Sequence, residues 1–406
     1  MSVDRREFIK TTTAASAATA LSYSRILGAN ERIRLGLIGC GSRGVGNMNN
    51  FLKIGTVDVT ALCDVYAAQI DQARKTAGSA AAFKDHRQVL ESKDVDAVIV
   101  AVPDHWHTGI TVDALNAGKD VYVEKPLTLR IEEGPEIVKA ARVNKRVCQV
   151  GMQQRSGAHY LQAKREYFDT GKLGKITLAR TWWHGNSFHL RRAPAALQSQ
   201  PADLDWARFL GPLRWREYDP QQYYNWRAFL DYGGGQITDL FTHWIDVVHM
   251  FTGQDIPVAA TASGGVYHYK DGRTAPDTIT VLLDYPAGFT ATFEATLVPS
   301  IMGAGIEICG TEGRLLITRG RYDFFDVPKE AGARGAPTPV ATVQAAGSMD
   351  RDHMQNFLDC VKSRKAPNGD VLIGHRSAQA SHLGNIAYLE KRRIEFDPLR
   401  EVILPS

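Results

Sequence analysis

Short apolar runs alternate with amphipathic stretches from residue 33 onward, and this alternation constrains the fold more than any other feature of the chain. The apolar runs are IRLGLIGC, DVTALCD, AVIVAVP (97–103), VYVEKP (121–126) and RVCQVGM (146–152). Stretches with helical periodicity separate them, among them GVGNMNNFLKIG and HTGITVDALNAGKD (107–120). Strands buried on both faces read as continuous apolar runs, and parallel strands need helical crossovers. The pattern therefore predicts an α/β domain with a doubly wound parallel sheet over residues 31–150.

After residue 150 the pattern changes to runs in which polar and apolar residues alternate. Such runs occupy 257–269, 277–297 and 305–319, and the segments YPAG and GTEG within them predict hairpin turns. A chain of 406 residues also exceeds one typical core. We therefore expect a second, α+β domain over residues 151–406 with a large, mainly antiparallel open sheet, and an irregular loop at 328–347. An open sheet leaves a face that needs cover, which favours a homodimer or homotetramer.

Three glycines follow the first apolar run. GLIGCGSRG places Gly39, Gly41 and Gly44 in G-x-G-x-x-G spacing between a predicted strand and a predicted helix. In this context the first glycine allows a tight turn, the second lets the backbone approach a pyrophosphate, and the third lets helix and strand pack closely. Ser42 and Arg43 lie in the same turn, at a helix N-terminus that favours phosphate groups. The segment therefore predicts a dinucleotide-binding Rossmann domain.

Asp64 ends the second apolar run, at the distance from the glycines expected for the acid that binds ribose. A carboxylate at this position accepts hydrogen bonds from the ribose hydroxyls and repels a 2′-phosphate. The sequence therefore favours NAD over NADP as the cofactor.

The carboxyl ends of the strands face the ligand crevice in this type of sheet. VPDHWH (102–107), EKP and GMQQRSGAHY (151–160) all lie at or after such ends. The further cofactor contacts expected from these segments are Pro103, His105, His107, Glu124, Lys125 and Gln153. Two histidines suggest a metal, but Asp104 is placed to cap a helix that His107 opens, so we predict no metal site.

GGGQITDLFTHWIDVVHM (233–250) predicts a helix that is apolar around most of its circumference. Asp239, His243 and Asp246 are spaced i, i+4 and i+7, so one helical face carries all three. An acid and a histidine that point together into the body of a protein need a partner or a function. We assign Asp246 to anchoring the helix and the other two to chemistry.

The order and spacing of the glycine turn, AGKDVYVEKP near residue 120 and GGGQITDLFTHWIDVV resemble the glucose–fructose oxidoreductase/inositol dehydrogenase/MocA (Gfo/Idh/MocA) family over nearly the whole chain. The resemblance implies that the EKP lysine and a D-x-x-x-H pair line the substrate site, here Lys125, Asp239 and His243. Many members have glycine where this chain has Phe241, which implies a narrower or differently shaped site. His243 is then the general base, Asp239 orients the substrate or the imidazole, and Lys125 hydrogen-bonds the reacting oxygen.

The resemblance further implies an NAD-dependent oxidoreductase that transfers hydride between the nicotinamide and a hydroxyl carbon of a sugar, glycoside or cyclitol. Some relatives are instead glycosidases that oxidise C3, eliminate the aglycone, add water and reduce back, with no net redox change. That alternative needs an additional base for the C2 proton, from a Tyr or His within 153–189. The intact Lys125, Asp239 and His243 disfavour a third reading, a sensor with a degenerate site.

Aromatic and polar side chains cluster in RTWWHGNSFHLRR (180–192) and YYNWRAF (223–229). Sugars present apolar C–H faces and many hydroxyls, which such a mixture suits, although an aromatic core gives the same pattern. The candidate substrate contacts beyond the three residues of the resemblance are Arg155, Tyr160, Trp183 and His184.

The N-terminal segment DRREFIK, followed by TTTAASAATALS, resembles a twin-arginine export signal with the pair Arg5 and Arg6. We expect residues 1–29 to be this signal, and the twin-arginine machinery to deliver the folded protein to the periplasm with NAD already tightly bound. The apolar stretch is too short and too polar to predict stable membrane insertion. A net charge of +4 argues against a nucleic-acid partner, and five scattered cysteines predict no disulfide framework.

Overall fold

The structure is a computed structural model that describes residues 32–185, 191–327 and 338–405. The predicted export signal, residues 1–29, lies outside the described residues, as does the 328–337 part of the predicted irregular loop.

The first sheet has six strands in the order β3-β2-β1-β4-β5-β6, and every neighbouring pair is parallel. Its strands are β1 (Ile33–Ile38), β2 (Val57–Cys63), β3 (Ala81–Phe83), β4 (Ala97–Val100), β5 (Asp120–Val123) and β6 (Cys148–Val150). The helices that connect them are α1 (Ser42–Ile54), α2 (Ala67–Ala77), α3 (His86–Glu91), α4 (Asp104–Asn116) and α5 (Gly134–Val143). The strand order reverses between β1 and β4, and ligands bind at the carboxyl ends of the strands at such a switch point. The predicted doubly wound sheet is confirmed.

The second sheet has ten strands in the order β14-β13-β12-β11-β7-β10-β9-β8-β15-β16. Its strands are β7 (Ile176–His184), β8 (Ala259–Gly265), β9 (Thr278–Tyr285), β10 (Phe289–Thr296), β11 (Ala304–Gly310), β12 (Gly313–Ile317), β13 (Arg321–Asp326), β14 (Ala341–Gln344), β15 (Ile394–Asp397) and β16 (Val402–Ile403). β7 and β10 pair in parallel and the other neighbours pair antiparallel, so the predicted large, mainly antiparallel sheet is confirmed. Both predicted hairpins form, β9 with β10 and β11 with β12. The predicted loop at 328–347 is wrong in part, because β14 lies within it and pairs with β13.

The second half also contains short helices and three longer ones. They are α6 (Ala158–Ala163), α7 (Trp206–Leu210), α8 (Pro220–Tyr224), α9 (Thr242–Thr252), α10 (Met349–Ser363) and α11 (Val371–Glu390). A 3₁₀ turn of the first domain occupies Ile131–Glu133. In the second half, 3₁₀ turns occupy Gln153–Ser156, Ala195–Leu197 and Trp226–Ala228, and π turns occupy Lys164–Phe168 and Ile237–Phe241. Alternate residues of β10 are buried, and Phe293 from this strand stacks on Phe241 at 4.7 Å between ring centroids. The sheet therefore covers α9 and the π turn before it, so this helix is buried.

The end of the chain returns to the first sheet. Phe357 of α10 is fully buried, and its ring lies 6.0 Å from that of Phe51 and 5.8 Å from that of Tyr122. Val371 and Ala378 of α11 join the apolar core beneath β5 and β6. The first sheet ends with β6 at Val150, and its core also takes residues from beyond 348, outside the predicted range 31–150.

Candidate active site

A cavity of about 880 Å³ lies between the carboxyl ends of the first sheet and the start of α9, within the range of roughly 300–1,000 Å³ typical of ligand sites. The first domain contributes the glycine turn, Asp64 and the EKP segment to its wall. The second contributes Trp183, Asp239, His243 and part of segment 203–232. Both domains therefore border one space.

The glycine turn has the geometry that a dinucleotide phosphate requires. Gly39 has φ +93°, and a Cβ on it would lie 2.4 Å from the Ala101 carbonyl oxygen. A Cβ on Gly44 would lie 1.9 Å from the Gly39 oxygen, so Gly44 is needed where α1 crosses β1. Gly41 precedes the first residue of α1 and borders the cavity, and a Cβ there would meet no atom within 4 Å. The first and third glycines shape the turn, while Gly41 leaves the backbone open to a ligand.

Asp64 follows β2 and faces the same cavity. Its Oδ2 accepts a hydrogen bond from the Cys40 N–H at 2.8 Å, and its Oδ1 accepts one from the Tyr66 N–H at 2.9 Å. Burial raises the pKa of Asp64 to about 6, although these backbone donors oppose the rise. The two donors fix the carboxylate, and each oxygen keeps acceptor capacity for a ribose hydroxyl.

Lys125 and Asp239 form a buried ion pair across the domain junction. Lys125 Nζ lies 2.5 Å from Asp239 Oδ1 and donates to the Asp239 carbonyl oxygen at 2.9 Å. Arg227 Nε lies 3.6 Å from the same Oδ1. Burial alone would raise the pKa of Asp239, but the charges of Lys125 and Arg227 outweigh burial and lower it. Asp239 is therefore a carboxylate that holds the ammonium group of Lys125 against the cavity.

His243 borders the cavity one turn after Asp239. Its imidazole is stacked near Trp183 at 6.0 Å between ring centroids, and its buried Nδ1 has no hydrogen-bond partner among the described residues. Burial, followed by the charges of Arg319, Lys125 and Arg43, lowers its pKa well below 6.5. The ring is therefore neutral at pH 7, which is the form that accepts a proton.

The segment before α9 is a π turn, Ile237–Phe241, rather than the continuous α-helix expected from the sequence. Thr242 Oγ1 donates to the Thr238 carbonyl oxygen at 2.6 Å at the junction with α9. At this widened turn the Asp239 carbonyl accepts the hydrogen bond from Lys125. π turns inside helices occur frequently at functional sites, and here the turn gives Lys125 two contacts with one residue.

Asp246 lies outside the cavity wall and pairs with Arg155, whose Nε is 2.7 Å from Asp246 Oδ1. Ser377 Oγ of α11 donates to the same carboxylate at 3.0 Å. The structure thus ties α9 to its neighbours through Asp246. Arg155, expected to contact substrate, is paired with Asp246 and does not border the cavity, so the structure does not support it as a direct contact.

Three more candidate residues lie away from the cavity. Tyr160 is fully buried in the core of the second domain, where its ring packs beside His159. His184 ends β7, and its Nδ1 lies 2.8 Å from Ser300 Oγ. His105 Nε2 lies 2.8 Å from the Phe209 carbonyl oxygen, so this ring faces segment 203–232 instead of the cofactor cleft. The structure does not support these residues as direct ligand contacts.

The other candidate cofactor contacts border the cavity. They are Ser42, Arg43, Pro103, His107, Glu124 and Gln153. Glu124 Oε1 accepts hydrogen bonds from Arg43 Nε and Asn47 Nδ2, each at 2.8 Å. The ring nitrogens of His107 lie 2.6 Å from the Pro126 oxygen and 2.9 Å from the Val102 oxygen, so His107 fixes the EKP segment against α4.

Several residues of the cavity wall were not predicted as site residues from the sequence. Asp104 is the first residue of α4, not its cap, and it lies buried in the cavity wall. Burial and the nearby charge of Asp239 raise its pKa to about 8. Arg227 belongs to the aromatic segment YYNWRAF, which did mark the right region. Arg319 and Asp350 reach the cavity from distant hairpin and helix termini, for which the sequence carries no local signal.

Among residues 32–185, 191–327 and 338–405, no group of three or more His, Cys, Asp or Glu side chains is arranged to hold a metal ion. In the same ranges, no helix combines the length and the apolar character needed to cross a bilayer.

Two sequence profiles of one family match the chain. The profile "Oxidoreductase family, NAD-binding Rossmann fold" matches residues 33–152, and the profile "GFO/IDH/MocA C-terminal domain" matches residues 207–316. Together they match more than half of the chain. This chain belongs to the GFO/IDH/MocA family of oxidoreductases. The first profile also confirms the predicted NAD cofactor for this family member.

Individual proteins agree with membership of the GFO/IDH/MocA family. "Glycosyl hydrolase family 109 protein 2" of Shewanella sp. (strain ANA-3) is 33% identical over 174 residues, 36% of this chain and 38% of that protein. The NAD(+)-dependent scyllo-inositol 2-dehydrogenase of Bacillus subtilis (strain 168) is 22% identical over 342 residues, 83% of this chain and 88% of that protein. The structure of levoglucosan dehydrogenase in complex with NADH and levoglucosan matches 93% of this chain and 100% of that chain with a TM-score of 0.71 at 18% identity. This last likeness shows the fold.

Proposed function

We propose that the protein exchanges hydride between NAD and a hydroxyl-bearing carbon of a sugar, glycoside or cyclitol. The observation that carries this proposal is the common cavity, which the glycine turn borders from one domain and His243 borders from the other. NAD, when bound, supplies the hydride acceptor. The relatives whose names specify scyllo-inositol and levoglucosan support the substrate class.

Oxidation of an alcohol removes a proton from oxygen as well as a hydride from carbon. Neutral His243 accepts the hydroxyl proton and becomes imidazolium as the C–O bond becomes C=O. Lys125, held by Asp239, donates a hydrogen bond to the oxygen on which negative charge develops. Gly39, Gly41 and Gly44 shape the turn that receives the phosphates, and Asp64 receives the ribose hydroxyls.

Replacement of the base tests this assignment. We expect His243→Ala to lower kcat/KM by roughly 10²- to 10⁴-fold, the contribution typical of a general base, while NAD affinity measured by calorimetry stays near the wild-type value. His184→Ala is the matched control, because His184 lies outside the cavity wall. Undiminished turnover in His243→Ala would refute the assignment.

A second candidate function is an NAD-dependent glycosidase that oxidises C3 transiently and eliminates the aglycone. The similarity to a glycosyl hydrolase family 109 protein, over 38% of that protein, and the cavity position of Asp104 favour this candidate. Elimination needs a group that takes the C2 proton. Within 153–189, Tyr160 and His184 do not border the cavity, and His189 lies outside the described residues. The buried carboxyl group of Asp104 does border the cavity, and with a pKa of about 8 it takes the C2 proton in its ionised form, which predominates above pH 8.

One experiment separates the two functions. Purified protein is incubated with aryl glycosides and with free sugars, without added cofactor, while aglycone release and the absorbance of bound nicotinamide are followed. Aglycone release without net NADH supports the glycosidase, and stoichiometric NADH with free sugar supports the dehydrogenase. Absence of both signals with a panel of sugars and cyclitols, even after NAD is added, contradicts both.

We also propose that the protein is exported by the twin-arginine route, carries NAD tightly bound into the periplasm, and forms a homodimer or homotetramer. The arginine pair Arg5 and Arg6 supports the route. N-terminal sequencing of the protein from a periplasmic fraction tests export, and light scattering tests the oligomeric state. Full-length protein confined to the cytoplasm, or a monomer at micromolar concentration, would contradict these proposals.

A further inference from the structure

Arg319 borders the active-site cavity from the turn between β12 and β13. Its guanidinium carbon lies 4.8 Å from the ring centroid of Trp183 and 6.0 Å from that of Trp244. Trp183 in turn faces the imidazole of His243. The aromatic ring of Trp183 therefore brings a cation and the candidate base to the same end of the cavity.

The other cations near His243 have carboxylate partners. Lys125 pairs with Asp239, and Arg43 Nε lies 2.8 Å from Glu124 Oε1. Arg319 differs, because within the described ranges its guanidinium makes aromatic contacts but neither a hydrogen bond nor an ion pair. An arginine side chain carries five N–H donors in a rigid fork, which matches the oxygens of a carboxylate or phosphate. Its donors thus remain available to a ligand in this cavity.

We propose that Arg319 binds an oxyanion on the carbohydrate, so that the preferred substrates are acidic sugars or their glycosides. The carboxylate of a uronic acid, a phosphate and a sulfate share this chemistry. This inference rests on the proposed function, because it assigns the substrate class of the same site. The ring of Trp183, which borders the cavity, supports the guanidinium through a cation–π contact.

Charge balance during the reaction supports the same assignment. When His243 accepts the hydroxyl proton, it becomes a cation in a site that already contains Lys125, Arg43 and Arg319. Each of these three charges opposes protonation of the imidazole. An oxyanion bound to Arg319 offsets part of this repulsion and makes His243 a better base. A neutral sugar offers no such compensation.

The experiment compares matched substrates with the NAD-loaded enzyme. The pairs are the aryl glucuronide against the aryl glucoside, and glucuronate, glucose 6-phosphate or glucose 6-sulfate against glucose. We expect the wild-type protein to favour the anionic member by about 10-fold or more in kcat/KM or in affinity. In Arg319→Gln this ratio should fall toward one, and Arg319→Lys should retain part of it because the charge remains without the fork.

Arg314→Gln is the matched control, since Arg314 belongs to β12 of the same hairpin, contacts Phe325 and lies outside the cavity wall. A wild-type ratio near one, or a ratio that Arg319→Gln leaves unchanged, overturns the inference while turnover of neutral sugars preserves the proposed function. If no sugar is turned over, calorimetric binding of the anionic and neutral sugars to the NAD-loaded protein still decides the role of Arg319. The anion that binds best identifies the acidic group.

Discussion

Burial and neighbouring charges set the protonation state of each titratable residue discussed here. His243 is kept neutral by burial and by the positive charges of Arg319, Lys125 and Arg43. Asp239 is kept ionised because Lys125 and Arg227 outweigh its burial. Asp104 is shifted the other way, to a pKa of about 8, so of these two neighbouring acids Asp239 is a carboxylate and Asp104 is mainly a carboxylic acid at pH 7. Such divergent environments allow neighbouring acids to take different roles.

The neutral state of His243 predicts how kcat/KM changes as the pH falls below 7.5. Its pKa is lowered well below 6.5, so the proton-accepting form persists as the pH falls and is lost only well below pH 6.5. We expect kcat/KM for a neutral sugar to stay level as the pH falls from 7.5 through 6.5, and to decrease only well below pH 6.5. Arg319→Gln removes one opposing charge, which raises the pKa of His243 and moves the fall to higher pH. A wild-type profile that already falls by half at pH 6.5 or above would contradict the prediction.

Helix α1 depends on a single close approach to β1. A Cβ at Gly44 would lie 1.9 Å from the Gly39 oxygen, whereas a Cβ at Gly46, in the same helix, would meet no atom within 4 Å. We expect Gly44→Ala to lower the free energy of unfolding by about 1–3 kcal/mol or more through overpacking and to weaken NAD binding. Gly46→Ala is the control, and should be neutral or stabilise the helix by up to about 1 kcal/mol. Urea unfolding and NAD titration measure both effects, and equal stability of the two variants would contradict the argument.

Residues 203–232, here called the clasp, border the cavity beside Asp64 and contact the first domain. The clasp meets the chain after β2, where the Asp205 N–H donates to the Val65 oxygen at 2.9 Å. Arg208 Nη1 lies 2.7 Å from Asp85 Oδ2, and Lys84 Nζ donates to the Asp203 oxygen at 2.8 Å. Aromatic residues form its own small core. The second domain is therefore attached to the first beside Asp64, and this attachment supports the proposal that NAD is held tightly.

Loosening the clasp should release the cofactor faster. Arg208 borders the cavity and pairs with Asp85, and both side chains are partly exposed, so their ion pair is worth about 0.5–1 kcal/mol. We expect Arg208→Gln to raise the NAD dissociation rate by about 2- to 5-fold in a stopped-flow displacement assay. Arg216→Gln is the control, because Arg216 pairs with Asp231 within the clasp and lies outside the cavity wall. Identical rates in wild type and Arg208→Gln would mean that the clasp does not retain NAD.

The sequence predicts those strands, helices and turns whose formation depends on the local pattern of residues. The two sheets, the hairpins at YPAG and GTEG and the glycine turn follow from periodicity and turn chemistry. The π turn before α9 does not, because its residues have the same apolar spacing as an α-helix. The side-chain directions of Arg155 and His105 also escape prediction. Each is set by a partner distant in the chain, Asp246 and the Phe209 carbonyl.

Across the whole molecule, packing between segments distant in the chain brings residues to the cavity that the local sequence pattern does not predict. Asp350 lies 3.6 Å from Arg43 although the two are far apart in the chain, because α10 returns to pack on α1. Arg319 borders the same cavity as His243 because the turn between β12 and β13 lies beside Trp183. Sequence motifs identified Lys125, Asp239 and His243 as a group, but the residues that set their charges came only from the assembled fold.

The return of α10 makes the stability of the two domains interdependent. Phe357 is fully buried between Phe51 and Tyr122, so Phe357→Ala should lower the free energy of unfolding by about 3–5 kcal/mol.

Because α10 and α11 contribute to the cores of both domains, we expect one cooperative urea transition. The fluorescence of NADH bound to the first domain and the tryptophan fluorescence of the second domain should change together. NAD at 100 times its dissociation constant should shift this transition by about 2.7 kcal/mol in the wild type. Phe325→Ala, on the partly exposed part of β13, is the control and should cost less. Two separate transitions, only one of them shifted by NAD, would show that the domains unfold independently and that α10 does not couple them.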